Sequence, residues 1–163
     1  MTHRIDNKIY KAALYCRLSK DDDDRNGDSS SIQTQKSLLE RFCRENGYLI
    51  HDFYVDDGYS GLNFERPDFQ RLLTDIDNGT VNMVITKDLS RLGRDYIQTG
   101  YYTEIYFAKK RVRYIAVNDA FDSNRDDNDI APFRHILNDM YAKDLSRKVK
   151  SAKRQRALNG LFI

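Results

Sequence analysis

The chain has 163 residues, 40% of them hydrophobic and 12% aromatic, enough to fill the core of one domain, with or without a projecting element. Its 27 basic and 25 acidic residues leave a net charge of +2, which excludes a polycation and makes any affinity for nucleic acid depend on where the charges lie. Two cysteines, Cys16 and Cys43, make neither a disulfide framework nor a metal knuckle; no apolar run reaches a membrane span, and the polar start MTHRIDNK lacks a signal-peptide core, so a soluble protein of a reducing cytoplasm is expected.

In chain order, AALYC reads as a first strand that ends at Arg17 to Ser19. The following DDDDRNGD places Asp22, Asp24, Asn26 and Gly27 at the first, third, fifth and sixth positions of an EF-hand loop. The twelfth position holds Gln33, which cannot give a bidentate carboxylate, and a strand pattern precedes instead of a helix, so no metal site is expected. Ile32 to Asn46 has Ile32, Leu39, Phe42 and Cys43 near helical spacing and stops at Asn46-Gly47. YLIHDFYV, Tyr48 to Val55, is a second strand. The turn-rich DDGYSGLNFERP then leads to a helix starting at Pro67, with Phe69, Leu72, Leu73 and Ile76 inward, ended by Asn78-Gly79. VNMVITK is a third strand and RDYIQTGYYTEIYFAKK a helix with Ile97, Tyr101 and Ile105 at i, i+4 and i+8; VRYIAVN is a fourth strand and FDSNRDDND an acidic loop. One long helix is predicted from about Ile130 to about Leu158, with Phe133, Leu137, Met140, Leu145 and Val149 apolar and the stripe fading beyond Ala152.

Alternating strands and helices favour a mainly parallel sheet covered by helices, because parallel neighbours need right-handed crossovers. Functional residues then belong at the carboxyl ends of the strands. Acid collects at Asp21 to Asp24 and Asp126 to Asp129, read as solvated loops, whereas Lys143 to Arg156 carries seven basic residues against the single acid Asp144. A helix that outlasts its apolar stripe and turns basic projects toward a partner.

Ser19 follows the first strand, with Arg17 two residues earlier on the same face. No G-x-S-x-G elbow is present, and His3, His51 and His135 fall in a tail, a strand and a late helix, which argues against a histidine-activated hydrolase. TKDLSRLGRD, Thr86 to Asp95, carries Arg91 and Arg94 three apart around a glycine. Such a pair is either a surface loop with capping charges or a fork for phosphate oxygens, since guanidinium stays charged and donates in a plane. Arg17 and Arg66 fall at loop edges that a parallel sheet could gather near Ser19. Tyr15 suits a core tyrosine as well as a site residue, and Gln35 suits a helix cap as well.

YCRLS with SIQTQ behind it, DDGYSGLNFERP, KDLSRLGRD and YAKDLSRKVKSAKR together resemble the catalytic domain of the serine recombinases, the resolvase and invertase family. The closing RALNGLFI resembles the point where large serine recombinases, which move conjugative and transposable elements, continue into a DNA-binding part. The resemblance implies a three-layer α/β resolvase-like domain over residues 1–129, with a mainly parallel four- to five-stranded sheet. A long C-terminal helix over 130–163 would serve oligomerisation and DNA contact. It implies Ser19 as the nucleophile that holds a 5′ phosphate covalently, Arg17, Arg91 and Arg94 on the scissile phosphate, Arg66 as a supporting arginine, and Tyr15 and Gln35 as organisers of the pocket. Lys148, Lys150, Lys153, Arg154 and Arg156 would meet the DNA backbone, with no cofactor and no metal. The partners implied are double-stranded recombination sites and further copies of the chain, as a homodimer that assembles to a tetramer, in a bacterial cytoplasm. Ser90 stands where resolvases often have an aspartate; Lys148 stands where the smaller enzymes have an arginine, and Arg147 where they have an acid. A flavodoxin-like regulatory module and a non-catalytic DNA-binding module are the competing readings; neither G-x-G-x-x-G nor a Walker loop supports the first.

Overall fold

The computed structural model describes residues 8–19, 31–124 and 131–160. The aspartate runs, the calcium-like pattern before Ser31, His3 and the last three residues fall outside them. Five strands, β1 (Lys11–Leu18), β2 (Leu49–Asp57), β3 (Met83–Thr86), β4 (Arg113–Ala116) and β5 (Phe121–Asp122), form one sheet in the order β2-β1-β3-β4-β5. The first four run parallel and β5 is antiparallel to β4.

The period of two along the strands creates two cores. Ala12, Leu14 and Cys16 of β1, with Met83, Ile85 and Ile115, face Leu39 and Cys43 of helix α1 (Ile32–Asn46). Ala13 and Tyr15, with Val84, Tyr114 and Ala116, face the opposite layer. That layer contains α2 (Pro67–Asp77), through Phe69, Leu72 and Ile76, then the short α3 (Leu89–Leu92) and α4 (Tyr96–Gly100). It is completed by α5 (Phe107–Lys109) and the start of α6 (Ala131–Leu158), where Leu137 and Met140 are buried. The expected three-layer α/β architecture is therefore present, with the chain leaving β1 toward β2 on one side and β3 on the other. The reversal of direction beside β1 makes its carboxyl end the topological switch point, where parallel α/β sheets place their sites.

Three expectations are corrected. The single helix over Arg94 to Lys110 is instead α4, a π-helical segment Tyr101–Tyr106 and α5, preceded by the separate turn of α3. Its apolar row Ile97, Tyr101 and Ile105 is exposed, at 66%, 47% and 56%, while Thr99, Thr103 and Phe107 face the core. The Thr103 hydroxyl donates to the Thr99 carbonyl at 2.8 Å, which lets this threonine pack inward without an orphaned donor. FDSNRDDND begins as strand β5, held by the Arg113–Asp122 ion pair at 2.6 Å. On α6 the apolar stripe leaves the globule at once after Asp144: Leu145 and Val149 are exposed, and the helix runs on for about 20 Å at roughly 1.5 Å per residue. No helix among the described residues is long and apolar enough to cross a membrane.

Candidate active site

The β2–α2 loop and the region around α3 meet at the carboxyl end of β1, and each sequence-predicted residue there has a definite place. Ser19 stands just past β1 and is 6% exposed; Arg17 and Arg66 are fully buried, Arg91 nearly so, and Arg94 partly exposed. Arg17 crosses the site and ties two loops together. Its Nε donates to the Arg91 carbonyl at 3.2 Å, Nη1 to the Tyr59 carbonyl at 3.0 Å and Nη2 to the Ser90 carbonyl at 2.7 Å. Three of the five guanidinium donors thus hold main chain. Burial, then the like charges of Arg66 and Arg94, push the Arg17 guanidinium down to about 10.

Gln35 does not cap its helix, which Ser31 does by accepting the Thr34 N–H at 3.1 Å. From α1 its side chain clamps the backbone of Arg17, accepting the Arg17 N–H at 3.2 Å and donating to its carbonyl at 3.1 Å. Arg91 Nη1 reaches the same carbonyl at 3.2 Å. The end of β1 is therefore held from both layers.

Beneath it lies a buried network that connects Tyr15 to the start of α2. The Tyr15 hydroxyl donates to Asp56 Oδ2 at 2.8 Å and accepts from Arg66 Nη1 at 2.7 Å. Asp56 also accepts the Asp68 and Phe69 amides, each at 3.0 Å, and so caps α2 from the end of β2. Arg66 Nη2 donates to the Leu92 carbonyl at 2.6 Å, with its guanidinium 4.5 Å from the Phe64 ring centroid and 5.0 Å from that of Phe69. Burial holds the Tyr15 phenol well above the usual range, with Arg66 opposing and Asp56 adding to the shift. Tyr15 is thus a core tyrosine and a member of the site's framework at once. Asp56 was not anticipated from sequence, since a lone acid at a strand end carries no signal of its partners.

The loop that carries the Arg91 and Arg94 pair is shaped by Asp88. Its carboxylate accepts the Arg91 amide at 3.2 Å and the Ser90 hydroxyl, and Arg91 Nε lies 3.9 Å from it. The carboxylate two residues before Ser90 thus bonds to that serine. Arg94 donates its amide to the Gly61 carbonyl at 2.7 Å. Tyr96, which opens α4, gives its amide to Asp144 of α6 at 2.7 Å, and its ring packs edge-on to Tyr141 at 5.3 Å. The base of the long helix is therefore joined to the arginine loop. Lys148, Lys150, Lys153, Arg154 and Arg156 are all exposed on the projecting part of α6, away from this cluster.

His51 is exposed on the edge strand and His135 on α6. Among the described residues, no group of three or more His, Cys, Asp or Glu side chains could hold a metal ion. What the arrangement offers chemically is the Ser19 hydroxyl at the end of β1 with several guanidinium groups gathered about that end, a setting that stabilises added negative charge on a phosphate.

A family model described as Resolvase, N terminal domain, matches residues 12–161. The chain is 25% identical over 151 residues to a protein of Bacillus subtilis (strain 168) named "Putative DNA recombinase"; the match covers 93% of this chain, and the chain spans 29% of that protein's length. Among solved structures, the N-terminal catalytic domain of TP901-1 integrase matches with a TM-score of 0.66 at 28% identity, over 85% of this chain and 98% of the other. A resolvase family site-specific recombinase from Streptococcus pneumoniae matches with a TM-score of 0.64, also at 28% identity, over 92% of this chain and 99% of the other.

Proposed function

The chain belongs to the resolvase family of serine recombinases, and from that premise we propose that it cleaves and rejoins DNA through a covalent 5′-phosphoserine at Ser19. The observation that carries this reading is the gathering of Arg17, Arg66, Arg91 and Arg94 around the carboxyl end of β1, where Ser19 stands. Main-chain carbonyls, Asp56 and Asp88 offset part of the repulsion among these like charges, and an incoming anion would offset more of it. The Ser19 Oγ attacks the phosphorus of a phosphodiester and loses its proton. The bond from phosphorus to the 3′ oxygen breaks, and that oxygen leaves as a 3′ hydroxyl, taking up in the net reaction the proton that Ser19 gives up. The phosphoester bond energy is kept in the serine ester, so attack by a 3′ hydroxyl on the phosphoserine reseals a strand with no ATP.

Arg91 and Arg94, with the Arg17 N–H groups that main-chain carbonyls do not take, stabilise the charge on the phosphoryl oxygens, while Arg66, Tyr15 and Gln35 hold the loops that carry them. No metal or cofactor takes part. The substrates are double-stranded recombination sites of a mobile element, exchanged for integration or excision by a dimer that assembles to a tetramer. Two exposed apolar rows, Ile97, Tyr101 and Ile105 on the segment from α4 onward and Tyr141, Leu145 and Val149 on α6, support packing between subunits. The basic residues of α6 then lie along the DNA backbone; Lys150, Lys153 and Arg154 share one helical face.

The test is incubation of the natural full-length protein with nicked recombination-site DNA in EDTA, followed by denaturing electrophoresis. A protein-DNA band that survives denaturation is expected. Binding without such a band would make the arginines a phosphate grip only, and a band that needs added magnesium would overturn the metal-free chemistry.

A further inference from the structure

The motif DDGYSGLNFERP contributes Arg66 to the site, but its glycine at position 61 has an arrangement of its own. Gly61 is buried in the loop between β2 and α2, and its φ lies outside the left-handed region, so its backbone is open to any residue. The reason for a glycine is therefore space. A Cβ at this position would stand 2.8 Å from Arg17 Nη2, 3.0 Å from Arg17 Cζ and 2.9 Å from Arg94 Cγ. The same residue accepts the Arg94 amide on its carbonyl at 2.7 Å, and two residues earlier the Tyr59 carbonyl accepts Arg17 Nη1 at 3.0 Å. The loop thus binds both arginines by main chain while the missing side chain lets them close in on it.

We propose that Gly61 is a positioning residue: its lack of a side chain sets where Arg17 and Arg94 stand at the end of β1, and even one methyl group drives them from the geometry that strand cleavage needs. The inference rests on the recombinase reading for its consequence in catalysis, though not for the placement itself. The far end of an arginine is usually free to give way. Here it is not, because the Arg17 guanidinium is fixed by carbonyls of Tyr59, Ser90 and Arg91, so a displaced Nη2 gives up its 2.7 Å bond to Ser90 and loosens the loop that carries Arg91.

Gly61→Ala is the test, read in two ways. In 15N–1H spectra of the arginine Nε–H groups of this chain, the Arg17 and Arg94 signals should move and Arg17 Nε–H, bonded to the Arg91 carbonyl at 3.2 Å, should exchange faster with solvent, while far-UV circular dichroism stays native. Unmoved Arg17 and Arg94 signals would overturn the proposal, and so would the unfolding of Gly61→Ala and Gly61→Ser alike, since the glycine would then serve the fold as a whole. In the natural full-length protein, single-turnover cleavage at saturating DNA should fall about 100-fold in Gly61→Ala, as expected for a misplaced catalytic group, with DNA affinity unchanged. Lysine at position 17 ends short of Nη2, so in an Arg17→Lys background the added methyl meets only Arg94 Cγ and should cost less. An equal loss in both backgrounds would overturn the proposal. The spectra need no DNA, so they decide the placement even if the wild type forms no covalent adduct, an outcome that would instead defeat the recombinase reading.

Discussion

Asp56→Asn probes the framework under the site and leaves Ser19 and the arginine loop untouched. The carboxylate receives three hydrogen bonds, from the Tyr15 hydroxyl at 2.8 Å and from the Asp68 and Phe69 amides at 3.0 Å, and the residue is 1% exposed. An asparagine oxygen can keep the Tyr15 and Phe69 bonds. Its NH2 must then face the Asp68 N–H, donor against donor. Losing one charge-assisted hydrogen bond in the interior costs about 1.5–3 kcal/mol. Removing negative charge from the start of α2 adds about 0.3–1 kcal/mol. The sum is about 3 kcal/mol, a large part of the roughly 5–15 kcal/mol that stabilises a domain. At roughly 2–4 °C per kcal/mol for a chain of this size, Tm should fall by about 6–12 °C. Urea denaturation followed by circular dichroism should show a lower midpoint with an unchanged slope. Because Asp56 also offsets the buried Arg66 charge, Arg66→Met should destabilise less in the Asp56→Asn background than in the wild type. A loss below about 1 kcal/mol, or strictly additive effects, would refute the view that this network stores its stability in the carboxylate.

Arg91→Lys keeps a charge but loses the fork and the bond to the Arg17 carbonyl, so single-turnover cleavage should drop by about 100-fold or more with DNA affinity retained. Burial pushes the thiols of Cys16 up to about 12 and of Cys43 up to about 11 from a usual 9.0. Groups whose folded value is raised add stability that is complete below the unfolded value, so stability should decline as pH rises from about 9 toward 11–12. Melts across that range should show the decline weakened in Cys16→Ala or Cys43→Ala, and neither thiol should react with a disulfide reagent at pH 8 while the chain is folded. Neutralising Lys150, Lys153 and Arg154 together should weaken DNA binding about equally on cognate and scrambled sequence and flatten its salt dependence by about three phosphate contacts. Gel shifts over a salt series check this.

The strands, the order of the layers and the place of Ser19 were readable because period two and period 3.6 report burial directly. The direction of the helix after Asp95 was not. Two rows, each with a spacing of four residues, compete there, and Ile97, Tyr101 and Ile105 look more apolar than Thr99, Thr103 and Phe107. Small side chains suit the inward position where the chain packs closely, as at Thr99: a Cβ at Gly93 would come 2.2 Å from Phe64 Cζ and 2.8 Å from Thr99 Oγ1. A two-residue strand such as β5 is too short to show a period at all. For the site, residue types announced a cluster of arginines, but not that Arg17 would hold carbonyls of two other loops, nor that Asp56 and Asp88 would organise the rest. Those roles depend on partners far apart in sequence, 74 residues in the case of Arg17 and Arg91.

The most direct measurement is the chemical identity of the protein-DNA link. After reaction with site DNA, protease digestion and mass spectrometry should place a nucleotide 5′ phosphate on the peptide containing Ser19, and a polymerase should extend the released 3′ end. Ser19→Ala should bind the same DNA and yield no adduct. An adduct on another residue, a phosphate attached through its 3′ side, or a covalent band from Ser19→Ala would contradict the mechanism.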